Sequence, residues 1–182
     1  KRVFDFSVKD PSEPIAPLFV NLGDHHFELP TSQAMAQTFF DQGIRLVYAF
    51  NHAEAHRSFR EAARIDPECA MAYWGQAISL GPNINDPLPD AERTTKAFEA
   101  ASLAAKLSKN GSKKERALIE ALQNRQNQNP VADSEELNKA YAKAMASVAE
   151  TFTDDQEVQT LHTAALMNTM PWNYCTNQGE AN

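Results

Sequence analysis

The chain has 182 residues, of which 42% are hydrophobic and 23% charged, a balance that suits a folded domain and excludes a disordered segment. A formal net charge of -7 argues against nucleic acid as the main partner, because neutralising phosphates takes clustered Lys and Arg and the densest basic run, Lys106 to Lys114, is short. No apolar run approaches the roughly 20 residues that span a bilayer, so no membrane insertion is expected, and two cysteines without CxxC spacing exclude a disulfide scaffold or zinc ribbon.

In chain order, residues 1–30 carry Pro11, Pro14, Pro17 and Pro30 with little periodicity, which predicts an extended arm. Its apolar residues, among them Phe4, Phe6, Ile15, Leu18, Phe19 and Phe27, are too many for a free tail and predict an arm packed on the body that follows. Residues 31–182 then read as a helical domain, with helices expected at 33–49, 52–65, 68–80, 90–108, 113–127, 134–151 and 155–169. Asn51 with Glu54, Ser112 with Glu115, Asp133 with Glu136 and Asp154 with Glu157 each set a capping oxygen three residues ahead of a carboxylate, as a capping box requires. Pro67 closes the second helix, lacking an amide and turning Asp66 from helical geometry. The connection from Gly81 to Pro87 is longer than a helical hairpin needs, and long connections are where function tends to sit.

Between Phe39 and Pro67, bulky Phe39, Leu46 and Phe59 alternate with small Gly43, Ala55 and Ala62, so that two antiparallel helices can lie close together. The spacing of Phe39, Gly43, Ala55, Phe59, Ala62 and Pro67 resembles the tetratricopeptide repeat. The runs LGDHHF (Leu22 to Phe27), FDQGIRLVYAFNHAEA (Phe40 to Ala55), DPECAMAYWGQA (Asp66 to Ala77), GPNIN (Gly81 to Asn85) and PWNY (Pro171 to Tyr174) resemble a family of longer, functionally uncharacterised bacterial tetratricopeptide proteins. The resemblance implies an all-α, right-handed superhelical stack of helix hairpins serving as a scaffold, and it implies no reaction. Seven helices leave the last unpaired, so a piece of a longer array is the expectation, with a final helix acting as a cap the alternative. The first residue is Lys rather than Met, which carries the same expectation of an upstream segment.

Candidate chemistry is sparse. No GxGxxG or GxxxxGK loop and no GxSxG elbow is present, so neither an enzyme nor a cofactor is expected. His52 and His56 lie at i and i+4 on one helical face, a spacing that can hold Zn2+ or Cu2+, with His25 or His26 as further ligands only if the arm folds back along the first helix. The bland alternative packs His52 near an aromatic and exposes His56. In tetratricopeptide arrays the first helix of each pair lines the concave face, which places Gln37, Phe40 and Tyr48, then Trp74, on a groove suited to a peptide or protein segment. Asn51 and His52 open the second helix beside it, Asn83 and Asn85 either hold their own loop or reach a ligand backbone, and Trp172 to Tyr174 is a candidate closure for the far end. The competing reading fills that groove with the arm itself or with core. Gln37, Phe40, Tyr48, Asn51, His52, Trp74, Asn83 and Asn85 are the ligand-binding candidates. A protein- or peptide-binding scaffold is the expectation; the alternative is a metal- or small-molecule-binding helical domain using His52 and His56.

Overall fold

A computed structural model describes residues 4–7, 10, 12–127, 129 and 133–180. Among them are seven α-helices: α1 (Ala34–Tyr48), α2 (His52–Ile65), α3 (Ala70–Leu80), α4 (Ala91–Leu107), α5 (Lys113–Gln123), α6 (Ser134–Thr151) and α7 (Gln156–Met167). The described residues contain no strand beyond the isolated bridge between Asn83 and Asp86, so the fold is all-α. The expected helices are present within a few residues, the exception being a fifth helix that stops at Gln123 rather than 127. Each helix packs on its neighbours in sequence, and α1 also touches α3 while α3 touches α5.

Helix starts follow the predicted chemistry in part. At Ser112 the capping box is complete, the hydroxyl accepting from the Glu115 amide while the Glu115 carboxylate accepts from the Ser112 amide. Asp133 caps α6 through the amides of Glu135 and Glu136. At α7 the cap is Asp155, one residue beyond the expected Asp154, and it accepts from Val158 N. Asn51 makes no side-chain cap bond, and Glu54 instead pairs with Arg57 at 3.1 Å. The reason lies in the preceding turn. The amides of Phe50 and Asn51 donate to Val47 O and Leu46 O, a Schellman closure that puts Phe50 at φ 57°, a position glycine usually takes.

Phe59 on α2 sets how closely the first three helices approach. Its ring is fully buried between Gly43 of α1 and Gly75 of α3, and a Cβ added at either glycine would stand 2.5 Å or 2.4 Å from a ring carbon. The small residue at Gly43 was legible from the repeat spacing; Gly75 supplies the matching recess on the other side.

The arm has no regular secondary structure in its described part and is held chiefly by side chains of α1 and α2. Gln37 donates to Phe27 O (2.8 Å) and accepts from Leu29 N (2.8 Å), Asp41 accepts from Phe27 N (3.0 Å), and Arg45 donates to His25 O (2.7 Å). Residues 25–29 therefore run antiparallel to α1. Upstream, Gln42 accepts from Phe19 N and donates to Pro17 O, while Glu61 accepts from Ile15 N and Arg57 donates to Ile15 O. Buried amides and carbonyls of a strandless segment need partners, and these polar side chains supply them.

Candidate functional site

The arm takes the first part of the predicted groove. Phe27 is buried with its ring 5.5 Å from Phe40 and 6.3 Å from Trp74, and Lys114 Nζ lies 4.7 Å from the Phe27 centroid on the remaining side. Phe40 and Trp74 are 0% exposed. Both are corrected from ligand-binding residues to core: the aromatic stripe is satisfied by an aromatic from the same chain. Gln37 does grip an extended backbone in the two-sided way a peptide site would, but the backbone is that of Phe27 to Leu29.

Beyond the C-terminal end of α1 the surface opens into a cavity of about 140 Å³. Val47, Tyr48 and Phe50 wall one side, Ile78 the next, Pro82 to Ile84 and Arg125 another, and Tyr141 with Leu161, Ala164, Ala165 and Met167 the last. Elements distant in sequence meet here, the Tyr48 side chain at the end of α1 reaching the first turn of α7. Glu157, in the first turn of α7, accepts from Tyr48 OH at 2.8 Å, and His25 Nε2 lies 2.5 Å from its other oxygen. Lys114 adds a 2.8 Å ion pair with Asp155. Burial, then the nearby Glu157 charge, raises the Tyr48 hydroxyl far above its ordinary pKa, so it stays a donor to that carboxylate.

Of the predicted residues, Tyr48, His52 and Asn83 come together on this cavity. Asn51 and Asn85 are exposed and lie outside its lining. Asn83 mainly holds its own loop, its side chain accepting from Asn85 N and its backbone exchanging two bonds with Asp86. The Trp172 indole donates to Ile84 O at 2.8 Å, so the PWNY segment does meet the GPNIN loop, although the Trp172 ring itself is 71% exposed. Phe50 and Trp172 both hold positive φ, at 57° and 64°, which costs a bulky residue on the order of 1–2 kcal/mol. In each case the backbone tension accompanies an aromatic at or beside the cavity.

The histidine pair separates. His52 packs on Phe50, with ring centroids 6.0 Å apart, and faces the cavity. His56, expected to be exposed, is buried against Phe4 and Phe6 at 5.9 Å and 5.6 Å. Burial, helped by the Arg60 charge, pushes its pKa down to about 3, so it is neutral at physiological pH. The correction has a long-range cause, the arm covering a helix face that local sequence leaves open. The arm also folds back as a four-histidine site would need, yet His25 goes to Glu157 and His26 to Asp41 at 2.7 Å. Among the described residues no three His, Cys, Asp or Glu side chains are grouped to hold a metal.

Arg125 is a cavity-lining residue that sequence reasoning missed. It lies in the turn after α5, within a run of Gln and Asn that reads as solvated polar surface. In the structure its Nε donates to Asn138 Oδ1 at 3.0 Å, Nη2 donates to Pro82 O, and the guanidinium sits 5.3 Å from the Tyr141 ring centroid. Burial lowers its pKa to about 10, and burial likewise pushes the Tyr141 hydroxyl up to about 12, so at neutral pH one is a cation and the other uncharged.

Comparison with known proteins finds no matching family model, no matching curated protein and no matching solved structure. No helix among the described residues is long and apolar enough to cross a membrane.

Proposed function

We propose that the chain is a protein-binding scaffold, a tetratricopeptide-like stack of helix hairpins that binds a segment of another protein on its inner face, and that it performs no catalysis. The observation that carries this reading is the cavity beside Tyr48. It is lined mainly by apolar side chains, and its volume of about 140 Å³ is near that of an engineered protein cavity which accepts benzene. A site of that size takes one aliphatic or aromatic side chain and falls short of the roughly 300–1,000 Å³ usual for small-molecule pockets. An apolar side chain entering a desolvated recess is the way a short segment anchors on a helical surface.

Support for the stacked arrangement comes from the order of packing, each helix on the next with additional contacts between α1 and α3 and between α3 and α5. Gly43 and Gly75 allow the close approach that such stacking needs. The arm adds a second argument: α1 already binds extended chain through Phe27 and Gln37, so the surface chemistry suited to holding a peptide is in use beside the open cavity.

Random-peptide selection on the immobilised chain, counter-selected against Ala164→Trp, tests the reading. Ala164 is exposed on the cavity wall, so a tryptophan there fills the recess without disturbing the core. Peptides sharing an apolar residue and losing affinity for the variant are expected. Peptides that bind both proteins equally would remove the cavity from the function.

A further inference from the structure

Arg125 and Pro82 also wall a second cavity, of about 110 Å³, formed by the α3–α4 connection, α4, the turn after α5 and the start of α6. Leu80, Ala97 and Leu137 give it an apolar half, while Gln126 and Asn138 join Arg125 in a polar one. None of its lining side chains is Asp or Glu. The Arg125 residue is 7% exposed, yet among the described residues no carboxylate pairs with it, and the segment 124–132 has no Asp or Glu in its sequence. Its Nε and Nη2 donate to Asn138 Oδ1 and Pro82 O, and the Tyr141 ring supplies a partial cation–π partner. Nη1 has no acceptor among the described residues. A Cβ at Gly81 would stand 3.5 Å from Nη1, and Gly81 belongs to the wall of this second cavity, not to that of the cavity beside Tyr48. Arg93, comparably buried, shows the usual arrangement by meeting Asp86 at 2.5 Å. Isolated buried charge is unfavourable unless something compensates it.

We propose that the second cavity binds a short-chain aliphatic carboxylate as a free small molecule, its carboxylate on Arg125 Nη1 and its hydrocarbon tail against Leu80, Ala97 and Leu137. Charge, volume and rim select that class. One cation matches a monoanion, whereas a phosphate dianion would bring a second charge with no partner. The volume is somewhat below that of an engineered cavity that accepts benzene, so acids of about four to six non-hydrogen atoms fit and aromatic acids do not. Leu88, 74% exposed, stands at the rim with Pro89, so a peptide backbone following an acidic side chain inward would meet apolar side chains instead of hydrogen-bond partners. The site is separate from the peptide anchor beside Tyr48 and does not depend on it.

The test uses the wild-type chain, so no folding defect can mimic the result. Isotope-labelled protein is titrated with sodium butyrate, butyramide, sodium nitrate and acetyl-glutamate N-methylamide. The amides of Gly81, Ala97 and Leu137 report on the second cavity, and those of Ile78 and Leu161 on the first. Butyrate is expected to give saturable shifts at Gly81, Ala97 and Leu137 with a Kd in roughly the millimolar range or below. It should bind roughly tenfold or more tightly than neutral butyramide, the scale of a charged hydrogen bond. Equal binding of butyrate and butyramide would overturn the role of Arg125. Nitrate binding as tightly as butyrate would overturn the apolar half of the site. Tighter binding of the glutamate derivative would overturn the free acid in favour of a protein side chain. Butyrate shifts confined to Ile78 and Leu161 would overturn the choice of cavity, and an absence of saturable shifts would overturn the proposal outright.

Discussion

Gly75→Ala sets two physical effects against each other. Helix propensity favours alanine over glycine in a helix interior by about 0.8–1.0 kcal/mol. Against this, the new Cβ would lie 2.4 Å from Phe59 Cδ1, and ordinary contact begins near 3.4 Å, so the ring would have to withdraw by 3.4 − 2.4, or 1.0 Å. It has no room to do so. Phe59 is fully buried, a Cβ at Gly43 would stand 2.5 Å from its Cε1, the carbon next to Cδ1, and the Phe40 centroid is 5.2 Å away. Overpacking of this kind costs about 1–3 kcal/mol before the propensity gain, and the tight fit on both sides puts it at the upper end. The expected net loss is about 1–2 kcal/mol, or roughly 3–6 °C in Tm for a chain of this size. Urea unfolding followed by circular dichroism measures it. Phe59→Leu supplies the control: it is destabilising alone, but in its background Gly75→Ala becomes neutral or stabilising, a coupling of about 2 kcal/mol in the double-mutant cycle. A stabilised single variant, or strict additivity, would refute the wedge.

His56 is neutral when folded because its pKa is depressed to about 3, while unfolding restores an ordinary value near 6.5; protonation therefore favours the unfolded chain, and stability present above about pH 6.5 falls by roughly 2–3 kcal/mol toward pH 4.5. Urea titrations across that range check it, and His56→Gln should flatten this part of the profile. Ser112→Ala loses a complete capping box and should cost about 1 kcal/mol, whereas Asn51→Ala, whose side chain makes no cap bond, should change stability by less than about 0.5 kcal/mol in the same assay. Phe27→Ala removes the ring that covers Trp74 and should cost about 3–5 kcal/mol, with red-shifted emission from Trp74 measured in a Trp172→Phe background.

Helix positions were the most legible part of the chain because their determinants are local. Pro67 beside Asp66, Ser112 with Glu115 and the 3.6-residue apolar spacing each act within a few residues, and α2 and α6 begin and end where that chemistry places them. The cap of α7 slipped by one because Asp154 and Asp155 are equivalent in sequence, and Lys114, 41 residues away, pairs with Asp155 alone. Other differences also come from contacts made at long range. Phe40 and Trp74 have the spacing of a recognition stripe, but Phe27 covers them; His56 has the spacing of a surface ligand, but Phe4 and Phe6 enclose it. Tyr48, His52 and Asn83 were identified singly, yet the cavity that unites them also needs side chains of α6 and α7, and Glu157 of α7 reaches both Tyr48 and His25. Arg125 left no signal at all, since a lone arginine among glutamines and asparagines reads as solvated.

An isotope-filtered NOE experiment on a peptide recovered by selection bears most directly on the cavity as the binding site. With the peptide bound, cross-peaks are expected from its apolar anchor to the Tyr141 ring and to Ile78 and Leu161, with the amides of Phe27 and Leu29 unshifted because the arm stays in place. Cross-peaks to Phe40 or Trp74 together with loss of the Phe27 contacts would mean that ligand displaces the arm, and the cavity beside Tyr48 would not be the binding site.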